Sequence, residues 1–255
     1  MKGKFPLKKF QNIETPFYYY DVDLLEETLN LVNTEANKYA YQVHYAVKAN
    51  SNPKILKKIS QKGLGADCVS GNEVKACIEA GFPVEKIMFA GVGKTDKEIN
   101  YSLEQNIYCF NVESEQEIEV INELSEKKNK TANIAIRINP NIDANTHAKI
   151  TTGLSENKFG IDIELIPNII KTIKSLSNIQ LIGLHFHLGS QITDLSVFEN
   201  LCVRINELQE KMEVYNLSIK DINIGGGLGV NYEHPNHMPI PDFESYFRVF
   251  HKHLK

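Results

Sequence analysis

Along 255 residues, short runs of β-branched or aromatic residues alternate seven times with longer segments whose apolar residues recur at helical spacing. That alternation constrains the fold more than any other feature of the chain. Strands are predicted near Val43–Val47, Gly65–Val69, Lys86–Ala90, Ile107–Val112, Asn133–Ile138, Leu181–His187 and Ile219–Ile224. Helices are predicted over Asn52–Gln61, Gly71–Ala80, Thr95–Glu104, Ser114–Lys127, Glu164–Ser175, Asp194–Tyr215 and Asp242–Lys255. Local punctuation agrees with these boundaries. Thr95-Asp96-Lys97-Glu98 has the pattern of a capping box, as does Ser70-Gly71-Asn72-Glu73, and Ser114 precedes Glu115 and Glu117. Gly63 and Gly81 stand where helices should stop, and Pro167 is compatible only with a first helical turn.

Strict alternation with apolar strands implies a parallel sheet buried on both faces. It is either an open doubly wound sheet or a closed barrel, and a barrel needs eight strands and about 250 residues. Seven strand-helix units are present, so the chain is expected to be cut short before an eighth strand. The segment Asn139–Gly160 has no clear periodicity and is long for a connection, which points to a functional loop.

Composition excludes several classes. A formal net charge of -4 does not supply the basic stripe of a nucleic-acid binder. No run of about 18 apolar residues exists to span a membrane. The basic N-terminus has no apolar segment behind it and is not a secretory signal. Cys68, Cys77, Cys109 and Cys202 form no C-x-x-C and match no zinc spacing, so buried free thiols in a reducing, cytoplasmic compartment are expected.

In parallel barrels, functional groups collect at the carboxyl ends of strands. After the first strand stands Lys48, between Val47 and Ala49. Its apolar neighbours predict a buried stem, which would lower its pKa and favour the neutral amine that imine chemistry needs; from position alone, a lysine snorkelling from the rim is the commoner case. Asp67 lies within the second strand, where an acid needs a partner. His185 and His187 are two apart and project to one side of the sixth strand, before Ser190. They could ligate a metal or stack on a flat ring, and His185 could be a core histidine bonded to a backbone carbonyl. The seventh strand runs into Gly225-Gly226-Gly227-Leu228-Gly229, a loop hinge or a phosphate cradle. It does not complete the dinucleotide fingerprint, because position 230 is Val. A phosphate site after the last strands is a recurring barrel feature.

Together these stretches resemble the diaminopimelate decarboxylase family of the alanine-racemase-like pyridoxal phosphate enzymes. The resemblance rests, in order, on Thr15–Asp21, Tyr45–Asn50, Gly65–Ser70, Phe110–Ser114, Arg137–Pro140, Thr152–Leu154 with Asn157–Ile161, Gly183–Ile192 and Ile224–Gly229. It implies a TIM-type (β/α)8 barrel over residues 21–255, incomplete before strand eight. Residues 1–20 would pair with a β-rich domain not present in this sequence. It implies pyridoxal 5'-phosphate as cofactor and no metal. Lys48 would hold the cofactor as an imine, His187 would stack on its ring, and Ser190 with Gly225, Gly226 and Gly227 would bind its phosphate. Asp67 would sit near the lysine, and the loop after strand five would serve the substrate side. The implied reaction is decarboxylation of meso-diaminopimelate to L-lysine by a cytoplasmic homodimer, with this fragment inactive alone. A Glu-Pro-Gly-Arg motif and a cysteine-containing motif of the family have no counterpart here. The alternatives are a sister decarboxylase for arginine, ornithine or carboxynorspermidine, a metal-dependent barrel hydrolase, and a non-catalytic regulatory relative.

Overall fold

The computed structural model describes residues 5–140, 142, 159–233 and 237–255. A short helix α1 (Leu7–Phe10) and a long α2 (Val22–Asn37) precede the first strand. Then follow β1 (His44–Ala46), α3 (Pro53–Gln61), β2 (Gly65–Cys68), α4 (Gly71–Glu79), β3 (Ile87–Phe89), α5 (Asp96–Gln105), β4 (Cys109–Val112), α6 (Glu115–Lys127) and β5 (Ala132–Asn139). The remainder is β6 (Ile161–Asp162), α7 (Ile166–Ser175), β7 (Ile179–His185), α8 (Ser196–Val214), β8 (Asp221–Asn223) and α9 (Phe243–His253). All seven predicted strands and their helices are present. The two N-terminal helices and β6 were not predicted. Asp21 caps α2 by accepting from the Leu24 N–H at 3.1 Å.

The sheet is parallel throughout, in the order β1-β2-β3-β4-β5-β7-β8, with β6 added on β5. It is curled into a partial barrel, because side chains of β8 reach across the interior to the third and fourth strands. The Tyr108 hydroxyl donates to the Asp221 carboxylate, and Asn223 Nδ2 lies 3.4 Å from Met88 Sδ. Among the described residues β1 pairs only with β2, and β8 only with β7. The helical layer bridges that gap. α9 packs on both α8 and α2, with Phe250 and Tyr246 edge-on to Phe198, and with Phe247 and His251 on Tyr41 and Tyr39.

Strand alternation separates two cores. Ile87, Phe89, Phe110, Ile134, Ile136 and Leu184 face outward and join Ile99, Ile118, Ile121 and Ile169 of the helices. Each such buried side chain contributes roughly 1.5–3 kcal/mol. Met88, Cys109, Ala135 and Ile182, with Tyr108, form a separate inner cluster. Ile182 is an extra residue: Leu181 pairs with Ile134 and Gly183 with Ala135, so β7 carries a bulge between them. Beyond the bulge the phase of β7 is reversed. Leu184, Phe186 and Leu188 join the outer core, and the positions between them face the interior.

Helix punctuation follows the sequence with one consistent departure. Thr95 and Glu98 form the complete capping box. Ser70 and Ser114 cap through Glu73 N and Glu117 N, but the returning carboxylates bond one residue earlier, at the N–H of Val69 and of Glu113. Gly63 and Gly81 end α3 and α4 at φ +82° and +90°. The irregular segment expected at 139–160 lies mostly outside the described residues.

Candidate active site

Lys48 follows β1 in a single 3-10 turn, Val47–Ala49. The expectation of a buried stem is not met: Val47 takes the fully buried position and Lys48 is exposed at the rim. The strand has already ended at Ala46, so the alternation that would have turned position 48 inward no longer applies. The turn itself is braced. The Tyr45 hydroxyl donates to the Asn50 carbonyl at 3.2 Å, Asn50 Nδ2 donates to the Tyr20 hydroxyl at 3.1 Å, and Asn50 Oδ1 accepts from Asn52 N at 2.9 Å.

Asp67 lies on β2, opposite Ala46 and Met88, with its neighbours Ala66 and Cys68 in the outer core. Its Oδ1 is buried without a hydrogen-bond partner among the described residues. Burial raises its pKa to about 6, against the lowering effect of the Lys48, Arg137 and Lys94 charges. Lys48 is thus within electrostatic reach of Asp67.

His185 and His187 are on the interior phase of β7 and its extension. His185 is buried and its Nδ1 has no partner among the described residues, so the expected carbonyl bond is not made by that nitrogen. Burial holds its pKa well below the usual imidazole range, and the Arg137 charge lowers it further. His187 is lowered to about 4 by burial, then by Arg137 and Lys48. Both rings are therefore neutral near pH 7 and present flat, uncharged faces. Among the described residues no group of three or more metal-ligating side chains occurs.

The turns after β7 and β8 are stitched together. Ile192 N donates to Gly227 O and Gly229 N to Ile192 O, each at 2.8 Å, and the Gln191 amide bonds both the N–H and the C=O of Val230. This brings exposed Ser190 beside the glycine turn. A Cβ at Gly225 would stand 2.4 Å from the Phe186 carbonyl oxygen, and one at Gly227 would stand 2.6 Å from that of Gly189. At Gly226 nothing lies within 4 Å. The Gly225 N–H donates to Asn223 Oδ1 at 2.9 Å, whereas no acceptor is found among the described residues for the N–H of Gly226 or Gly227.

The strand ends also carry a buried ionic cluster to which the sequence assigned no role. Lys94, with only 1% of its side chain exposed, donates to the carbonyls of Gly91 and Asn111 at 2.8 Å and to Glu117 Oε1 at 2.5 Å. Glu113 Oε1 accepts from Arg137 Nη1 at 2.9 Å. Arg137 pairs in register with His185 and lies over the Phe159 ring. The available signal was a lone arginine inside the apolar run Ile134–Ile138.

A sequence profile of the family described as "Pyridoxal-dependent decarboxylase, pyridoxal binding domain" matches residues 23–255. The chain belongs to this family. It is 56% identical over its whole length to the diaminopimelate decarboxylase of Bacteroides thetaiotaomicron, covering 66% of that protein. To the enzyme of the same description from Aquifex aeolicus it is 40% identical over 91% of this chain and 54% of that one. A crystal structure of diaminopimelate decarboxylase from Helicobacter pylori complexed with L-lysine superposes with a TM-score of 0.88 at 34% identity, over 97% of this chain and 62% of that chain. The chain thus spans about half to two thirds of the length of these relatives. The family implies pyridoxal phosphate, and the mouth of the barrel fits it. Two glycine N–H groups without an acceptor among the described residues and a serine hydroxyl suit a phosphate, neutral imidazole suits a ring face, and Lys48 supplies a primary amine.

Proposed function

We propose that the protein containing this chain decarboxylates meso-2,6-diaminopimelate to L-lysine and carbon dioxide with pyridoxal 5'-phosphate. The observation that carries this is the convergence of Lys48, Asp67, neutral His187 and the glycine turn at one end of the sheet. The full-length likeness to diaminopimelate decarboxylases, two thirds of whose length it spans in the nearest case quoted, supports the choice of substrate.

In this mechanism Lys48 would hold the cofactor through its aldehyde, His187 would stack on its ring, and the N–H groups of Gly226 and Gly227 with the Ser190 hydroxyl would hold its phosphate. When bound, the cofactor supplies an electron sink for the bonding pair released as carbon dioxide leaves. Asp67 places a carboxylate within electrostatic reach of the amine; with a pKa of about 6 it is mostly charged at neutral pH. The braced turn at Val47–Asn50 fixes the backbone from which that side chain projects.

The protein acts as a cytoplasmic homodimer, with residues 1–20 packed against a further β-rich domain. Free, buried cysteines support a reducing compartment, and the exposed Tyr18 and Leu7 of the N-terminal segment support an additional packing partner. The test is to supply the full-length gene product with cofactor and meso-diaminopimelate and to follow lysine and carbon dioxide. Consumption of ornithine or arginine without lysine production would assign it to a sister decarboxylase. Borohydride reduction should fix the cofactor on the peptide containing Lys48 and not on Lys48→Ala.

A further inference from the structure

Among the described residues, Arg137 is the one cation whose charge bears on Asp67, His185 and His187 together while also being nearly buried, and its place is not set by its own strand alone. Its ion-pair partner Glu113 lies just beyond β4 with 3% of its side chain exposed. Glu113 is gripped at three points. Its Oε1 accepts from Arg137 Nη1 at 2.9 Å and from Gly91 N at 3.1 Å, and its own N–H donates to Glu117 Oε2 at 2.7 Å. Glu117 is in turn held by Lys94, whose other donors go to Gly91 O and Asn111 O. The ends of β3, β4 and β5 are thereby tied by two cations and two anions of zero net charge. A carboxylate bound to two donors through a single oxygen fixes a direction, and the planar guanidinium must follow it.

We propose that Glu113 is a positioning residue that holds the Arg137 guanidinium at the cofactor end of the barrel, with the Lys94–Glu117 pair as its anchor. The proposal rests on the reading of this mouth as a pyridoxal phosphate site. Glu113 does not touch the reacting atoms; it acts through Arg137, which stands beside the histidine strand by register. A strut that merely tied three strands together would be equally well served by any acceptor of similar size. A positioning role requires the charge, because a neutral amide neither neutralises nor aims the guanidinium as firmly.

The test uses the full-length protein with Glu113→Gln and Glu113→Asp. Phenylglyoxal labelling of Arg137 is followed by peptide mass spectrometry, with exposed Arg204 and Arg248 as internal references. In parallel, pyridoxal 5'-phosphate is titrated by absorbance across neutral and alkaline pH, and thermal melting reports the fold. In Glu113→Gln, Arg137 is expected to label about tenfold faster, with cofactor affinity lower by a similar factor and a moved pH midpoint of the bound band. Arg204 and Arg248 should label as before, and Glu113→Asp should recover part of each change. Unchanged Arg137 labelling overturns the proposal. So does faster labelling with affinity and midpoint unmoved, which would make Glu113 a strut. If the wild-type protein takes up no cofactor, the functional reading falls, and the labelling arm alone judges whether Glu113 holds Arg137.

Discussion

Replacing Lys94 by methionine keeps most of the side-chain volume and removes one buried charge. In the native fold the ammonium satisfies Glu117 Oε1 and two carbonyls, with 1% of the Lys94 side chain and 13% of the Glu117 side chain exposed. Removing one partner of such a pair strands the other, at a cost of about 3–5 kcal/mol. For a unit of this size, 1 kcal/mol corresponds to roughly 2–4 °C, so the melting temperature should fall by about 6–20 °C. Glu123 and Lys127 on α6 provide the contrast: 3.9 Å apart, with 67% and 70% of their side chains exposed, they should contribute about 0–1 kcal/mol. Urea unfolding of Lys94→Met, Glu117→Gln, the double variant and Lys127→Met measures all of this. The glutamine keeps an acceptor for the Glu113 N–H, so the double variant should cost less than the sum of the singles by more than about 1 kcal/mol. A Lys94→Met cost no larger than that of Lys127→Met, or strict additivity, would refute a buried and dependent pair.

Three further outcomes are expected. Burial raises Asp67 to about 6, so its charged form opposes folding above that pH; Asp67→Asn should stabilise the cofactor-free protein by up to about 3 kcal/mol at pH 7. That gain should shrink as pH falls through 6 and vanish below the ordinary carboxylate range, where Asp67 is protonated folded or unfolded; a pH-independent gain in chemical denaturation would contradict the assignment. Gly225→Ala, at φ +70° and against the Phe186 carbonyl, should destabilise by about 1–3 kcal/mol, whereas Gly226→Ala should leave melting within about 0.5 kcal/mol of wild type. His187→Ala should weaken pyridoxal phosphate binding by about tenfold, in keeping with the loss of an aromatic stack, while His187→Phe retains most of the affinity in the same titration.

The sheet was legible because each strand is a local apolar run with its own stop signals, and a parallel arrangement follows from alternation alone. The pairing of His185 with His187 on one side was legible for the same reason, since two residues along a strand always share a face. Their side relative to the barrel was not, because it depends on Ile182, an extra residue visible only when β5 and β7 are aligned. The exposure of Lys48 depends on the strand ending at Ala46, a boundary that sequence patterns set only loosely. Glu113 and Arg137 both stood in segments that matched the family, yet their ion pair joins adjacent strands 24 positions apart. No periodicity encodes such a contact. α2 was missed because its buried face is narrow, with Leu29, Val32 and Ala36 sharing it with Glu35.

The bulge at Ile182 makes the histidine end of the barrel a matter of parity. Deleting one residue there would open no cavity that neighbours could fill. It would restore even spacing and exchange the faces of every side chain from Gly183 to Leu188. Phe186 and Leu188, now in the outer core, would be turned toward the mouth, and His185 and His187 toward the helices. Between Leu181 and the glycine turn, the strand should therefore accept many substitutions of like character and no single insertion or deletion.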